Sequence, residues 1–99
     1  MGMMVKYYTS GTSAAGVLSF NTDDLRGICY RLFIKPPAET VTYDLAITDD
    51  NSLVIITTKG IRGTLNDLTV RPMKGIYTVA LSNISANGLF KFQAEYEET

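Results

Sequence analysis

Between Thr40 and Thr48 a large apolar residue stands at every second position. Val41, Tyr43, Leu45 and Ile47 fall on one side of an extended chain, and Thr42, Asp44, Ala46 and Thr48 on the other. A period of two is the mark of a strand with one buried face, because successive side chains of a pleated backbone point to opposite faces. The period recurs along the chain, and no stretch carries the i, i+3, i+4 spacing of an amphipathic helix. That repetition confines the fold to the all-β class.

Gly27 to Lys35 alternates with Ile28, Tyr30, Leu32 and Ile34 on one predicted face and Cys29, Arg31, Phe33 and Lys35 on the other. Pro36-Pro37 ends that strand, since proline has no N–H for a ladder. The short, stiff link to Thr40 suits a corner between two sheets. Asp49-Asp50-Asn51-Ser52 is a turn by composition. Leu53 to Thr58 then reads as a β-branched strand buried on both faces, and with Thr40–Thr48 it makes a hairpin placed at the centre of the fold. Ile76 to Ser82 and Gly88 to Tyr96 read as a second hairpin, closed by the favoured pair Asn87-Gly88. In its last strand Phe90, Phe92, Ala94 and Tyr96 face inward, while Glu97, Glu98 and Thr99 are expected to fray.

Met3–Thr9 and Ala15–Phe20 are shorter strands with a turn at Ser10–Ser13. A helical turn is expected over Thr22–Arg26. Lys59 to Gly75 is the least regular stretch, with one short strand between Leu65 and Val70. The count is about seven strands at sandwich-like spacing. The expected fold is a small antiparallel β-sandwich, immunoglobulin-like or jelly-roll-like. The 99 residues suffice for one domain, 1–99, and not for two cores.

Composition removes several chemistries. The chain has no histidine and one cysteine, Cys29. Ser-His-Asp and Cys-His catalysis and the usual zinc, haem and iron–sulfur ligand sets are therefore out of reach. No phosphate-binding or dinucleotide glycine pattern occurs, and no cofactor is expected. Nine basic and ten acidic residues give a net charge of −1, so no overall field favours nucleic acid. No apolar run reaches the ~18 residues of a membrane helix. The first residues lack the basic-then-apolar layout of a secretion signal, so Asn83-Ile84-Ser85 reads as a turn rather than a glycosylation acceptor.

What remains is carboxylate chemistry and surface recognition. Asp23-Asp24, Asp44 and Asp49-Asp50 sit where turns or strand faces put them, with adjacent acids on opposite faces. Calcium at Asp49, Asp50 and Asn51 matches no known loop spacing. Lys59 and Arg62, in a basic glycine-bearing loop, join Arg71 and Lys74 in a local positive excess. Glu39, Asp44, Asp49 and Asp50 make the preceding segment acidic. Lys59, Arg62, Arg71, Lys74, Asp49 and Asp50 are the candidate partner contacts, expected to bring oppositely charged patches together in self-association or in docking onto a partner lattice. Tyr7, Tyr8, Tyr30 and Tyr43 are candidates for a sugar-binding face. Cys29 reads as a small packed hydrophobe.

The stretch from Gly27 through Pro36-Pro37 to Thr42-Tyr43-Asp44-Leu45-Ala46-Ile47-Thr48-Asp49 and Ile55 resembles small virion proteins of tailed bacteriophages. Gly75–Ser82 and Gly88–Phe92 fit the same plan. One departure is Asp50-Asn51 where those proteins carry Asp-Gly. The resemblance implies a capsid-decoration, head–tail junction or tail-associated component with no catalytic residues. It would assemble as a homo-oligomer with other virion proteins, in the virion or, beforehand, in the host bacterial cytoplasm. A carbohydrate-binding or adhesin-like module is the alternative, and an exposed aromatic stripe would mark it.

Overall fold

The computed structural model describes residues 3–51 and 53–98. Among them are nine strands and no helix: β1 (Met3–Thr12), β2 (Leu18–Asn21), β3 (Leu25–Lys35), β4 (Thr42–Thr48), β5 (Val54–Arg62), β6 (Leu65–Asp67), β7 (Arg71–Gly75), β8 (Thr78–Ser82) and β9 (Leu89–Glu98). They form two antiparallel sheets. One has the order β1-β9-β3-β6, with β7 also paired to β3, and the other the order β2-β8-β4-β5. The all-β sandwich expected from the alternation is the fold observed, with nine strands in place of about seven.

The core lies between the sheets. Val41, Tyr43, Leu45 and Ile47 face Phe90, Phe92, Ala94 and Tyr96 within one buried cluster that also takes in Leu25, Cys29, Leu32, Ile34, Val79 and Leu81. Three edge-on aromatic pairs organise it, with Phe92 meeting both Tyr7 and Phe20 and Phe90 meeting Tyr43. Pro36-Pro37 carries the chain from β3 in one sheet to β4 in the other, the corner expected there.

Several expectations are overturned, each by pairing between distant segments. In β3 the buried residues are Leu25, Gly27, Cys29, Leu32 and Ile34, so the inner face changes parity in mid-strand. Opposite β9, Cys29 faces Tyr96 and Arg31 faces Glu95, which leaves Tyr30 as the extra residue of a β-bulge. Ile28 and Tyr30 are therefore exposed, and Cys29 is buried. Leu53–Thr58 is not buried on both faces. β5 is an edge strand, only Ile56 is buried in it, and it runs on through the supposed basic loop to Arg62. β4 is thus central in its sheet and its hairpin partner is not.

β8 and β9 do not form a hairpin, because they belong to different sheets. The segment between them crosses the sandwich, with Ile84 buried and the Ile84 amide bonded to the Gly16 carbonyl at 3.1 Å. The first turn falls at Ala14–Val17, where Ala15 and Gly16 adopt positive φ, and Gly11 lies inside β1. No helical turn forms over Thr22–Arg26. Instead Thr22 and Tyr77 exchange hydrogen bonds across the two chain segments, and β3 starts at Leu25. Glu97 and Glu98 are paired in β9 rather than frayed. Ser52 and Thr99 lie outside the described residues.

Candidate functional site

The acids are mostly committed to the fold. Glu39 accepts from the Thr64 amide at 3.0 Å and the Thr64 hydroxyl at 2.7 Å. Those bonds, the hydroxyl's first, hold its carboxyl below the usual range. Asp44 accepts from Asn83 Nδ2 at 2.7 Å and from the Gly60 amide at 2.9 Å, and is lowered for the same kind of reason. Asp49 Oδ1 accepts the Asn51 and Leu53 amides, both at 2.9 Å. Asp49 Oδ1 thereby holds the turn. Each carboxylate ties down backbone N–H groups that strand pairing leaves over.

The six charged candidates border one side of the sandwich, where β5 and β7 form the edges of the two sheets. They do not form one patch. Asp50 lies at the β4–β5 turn, its Oδ2 3.5 Å from where a Cβ on Gly75 at the end of β7 would sit. Lys59 and Arg62 are further along β5, roughly 16 Å and 26 Å from its start at ~3.3 Å per residue. Arg71 is tied to Asp67 at 3.0 Å in a pair that is largely covered. Lys74 faces Arg26 across the β3–β7 ladder, and Arg26 is itself paired with Asp24 at 3.2 Å.

What the charges surround is apolar. A cleft between the two edges is lined by Ile55 and Ile56 from β5, Arg71, Pro72 and Met73 from β7, and Cys29 at its base. Its interior void is about 20 Å³, room for little more than one water and far below the ~300 Å³ of a small-molecule pocket. Burial pushes the Cys29 thiol up, so it is a packed hydrophobe and not a thiolate. The segments bordering the cleft expose Leu53, Val54, Ile55, Leu68, Val70 and Ile76, each between 43% and 66% accessible. Val54 lies opposite Thr48 and so on the outer face of its sheet, while the others stand in the segments along the two edges; exposed apolar side chains bordered by charge are the anatomy of a protein-docking surface. The sequence reading missed these residues. Their signal was present for Leu68, Val70 and Ile76 as apolar residues within irregular segments beside Asp67 and Gly75, whereas Leu53, Val54 and Ile55 read as part of a buried strand.

The aromatic candidates divide. Tyr43 is in the core and Tyr7 packs on Phe92. Tyr8 and Phe33 share a row on the outer face of the five-stranded sheet, with Gln93 between them. The Arg31 guanidinium lies over the Phe33 ring at 5.0 Å and also bonds Asn66 at 2.7 Å, so that ring is already covered. Tyr8 is left as an open platform in that row, and the stripe a sugar face needs is interrupted.

No protein-family model matches the chain, and no curated protein sequence matches it. Among solved structures, the crystal structure of FlhE is similar, with a TM-score of 0.50 and 10% identity over 96% of this chain and 98% of that one. The structure of infectious bursal disease virus Gt strain gives a TM-score of 0.42 at 8% identity, covering 96% of this chain and 32% of the viral one. The VP2 subviral particle of the same virus gives 0.40 at 12% identity, covering 98% and 32%. This chain thus spans about a third of those viral chains. The likeness to FlhE is one of sandwich architecture alone, and the looser viral matches add nothing to it.

Proposed function

We propose that this chain is a non-enzymatic assembly protein of a tailed-phage or prophage virion that docks onto other virion proteins through the open side between β5 and β7. The observation that carries the docking is the exposed apolar set Leu53, Ile55, Leu68, Val70 and Ile76 in the edge segments beside a cleft too small for a ligand. Support for the virion setting is the resemblance over Gly27–Ile55, Gly75–Ser82 and Gly88–Phe92. Both edge strands here resist strand addition. β5 shifts register against β4 twice, at Asp44 and again between Ile47 and Thr48, and β7 carries Pro72 and Lys74. Docking on this side therefore runs through side chains, with the aliphatic residues as anchors and Asp50, Lys74 and Arg71 in the rim.

The test is incorporation. Particles induced from the source strain are purified and probed for the chain by mass spectrometry. A Leu53→Asp/Leu68→Asp variant, changed at two accessible positions, is expected to fold and to be missing from the particles. Absence of the wild-type chain from particles, or equal incorporation of the variant, would refute the reading.

A further inference from the structure

β1 is unlike the other sheet edges. It pairs with β9 through ten successive residue pairs, Met3–Glu98 to Thr12–Leu89, without a shift of register. β2 and β6 are only four and three residues long, and β5 and β7 carry the bulges, proline and lysine already described. Short length, bulges, proline and charge are the devices that stop an edge from recruiting another strand. Of these β1 has only Lys6, whose Nζ stands 3.7 Å from Glu95 Oε1 in its own sheet. Met3, Met4 and Tyr8 along it are more than half exposed.

One bond fixes which backbone groups of β1 point outward. A step beyond the strand, Ser13 donates its N–H to the Gly88 carbonyl at 2.9 Å. In an antiparallel ladder, residues bonded to a given neighbour alternate with residues turned away from it. Gly11, Thr9, Tyr7 and Val5 therefore bond β9. Met4, Lys6, Tyr8, Ser10 and Thr12 present N–H and C=O to solvent. No strand pairs with that edge among the described residues.

We infer that β1 pairs antiparallel with β1 of a second copy, across a two-fold axis at Tyr8. The two five-stranded sheets then join into one continuous sheet. Charge excludes an axis at Lys6 or Tyr7, and of the remaining axes the one at Tyr8 pairs the longest stretch of β1, residues 4–12. An axis at Lys6 sets the two ammonium groups directly opposite, which is destabilising. An axis at Tyr7 leaves them as diagonal neighbours ~7–8 Å apart. With the axis at Tyr8, Lys6 faces Ser10 of the partner subunit, and the two lysines are four residues apart, roughly 14 Å and beyond the screening length at physiological salt. Tyr8 then meets its own copy as a cross-strand aromatic pair. The row Phe33–Gln93–Tyr8 continues into its mirror. Isologous pairing of this kind closes on itself and gives a dimer rather than a fibre.

This pairing stands apart from the docking reading, because β1 is the edge of its sheet farthest from β6 and β7. The test is site-specific cross-linking of the full chain under mild oxidation. Residues opposite each other in a hydrogen-bonded pair have Cα atoms ~5.5 Å apart, within disulfide reach. Tyr8→Cys is expected to give a covalent dimer. Ser10→Cys, roughly 14 Å from its mate, is expected to stay monomeric under the same conditions. The native Cys29 is buried and stays out of the reaction. Sedimentation equilibrium supplies a second readout. The wild-type chain is expected at twice its monomer mass. Ser10→Pro removes an outward N–H without touching the β9 ladder and is expected to weaken the dimer roughly tenfold to a hundredfold, since symmetry counts the lost bond twice. A monomeric wild type at high concentration, or Ser10→Cys cross-linking as readily as Tyr8→Cys, overturns the inference. Either result leaves particle incorporation, and so the docking reading, to be decided by its own assay.

Discussion

Replacing Tyr43 by Phe should reverse the order of stability between neutral and alkaline pH. Tyr43 is 1% exposed, and its hydroxyl donates to the Gly63 carbonyl at 2.9 Å. Gly63 sits at positive φ just after β5, in a place where a Cβ would come within 2.9 Å of the Glu39 carbonyl oxygen. The phenol thus pins a tight turn to the core. Removing it costs one buried hydrogen bond and strips a donor from a buried carbonyl, about 1–2 kcal/mol at pH 7. Burial, reinforced by the Glu39 charge, pushes the phenol up to about 12 from the ordinary 10. Between those values the folded state keeps a proton that the unfolded state has released, so stability falls as pH rises. At ~1.4 kcal/mol per unit, the wild type loses roughly 2–3 kcal/mol between pH 10 and pH 12, and the variant is spared that share. The two stability curves should cross near pH 11. Tyr96 and Cys29 are also raised by burial, but they are common to both proteins and cancel in the difference. Urea unfolding followed by far-UV circular dichroism from pH 7 to pH 11.5 measures it. A constant gap across that range would refute the argument.

Three further outcomes rest on the bulge, the glycine contacts and the Asp44 bonds. Deleting Tyr30 should leave a folded protein, because Leu25, Gly27, Cys29, Leu32 and Ile34 would then alternate without a bulge; deleting Phe33 should not, because it turns Ile34 outward, and thermal melts of the two deletions decide this. Gly27→Ala should lower the melting temperature by well over ~10 °C, the effect of several kcal/mol on a domain this size, since at φ +145° the new Cβ runs into the Glu97 carbonyl oxygen; Gly11→Ala, which meets only the flexible Leu18 side chain at 3.1 Å, is the mild comparison. Asp44 is lowered by the Asn83 amide and then the Gly60 N–H, so its contribution is present at neutral pH and lost as pH falls through its folded-state value; Asp44→Asn should flatten the acid limb of the urea midpoint between pH 6 and pH 2.5.

Legibility in the sequence ended where pairing became non-local. Inside β4, β8 and β9 each side chain's face can be counted from its neighbours, and Val41–Ile47, Tyr77–Leu81 and Phe90–Tyr96 are buried as the count predicts. In β3 the same counting, started from Leu32 and Ile34, assigns Ile28 and Tyr30 to the core. Only the partner strand reveals the slip, because the bulge exists as two residues of β3 against one step of β9. For β5 the run Leu53–Ile56 looks doubly buried, yet its place at the end of a sheet depends on β8 taking the other side of β4. Asn87-Gly88 looked like a hairpin turn. Its amide side chain instead accepts from Ser13 at 3.1 Å and from the Gly16 amide at 3.0 Å, holding the β1–β2 connection. The candidate site suffered the same way. Arg71 was visible as a cation, but its pairing with Asp67 arises only when β6 and β7 dock side by side on β3.

The two flanks of the sandwich differ in kind, and the difference bears on what each can bind. On the β5–β7 flank the ladder is broken by bulges and proline while aliphatic side chains stand exposed, so an incoming surface meets side chains rather than main chain. Affinity there depends on shape and apolar area, and truncating Leu53 or Leu68 should cost more than raising salt, because Asp50 and Lys74 in the rim are exposed and easily screened while Arg71 is already paired with Asp67. On the β1 flank the order is reversed. The side chains are few, the lone lysine is offset by Glu95, and five residues present main-chain groups in regular spacing. A contact there is directional, set by register, and sensitive to proline more than to alanine. Each flank therefore has its own diagnostic perturbation, Asp at Leu53 and Leu68 on one and Pro at Ser10 on the other. A chain that used both would carry its symmetric partner on one side of the sandwich and keep the other free for a different protein.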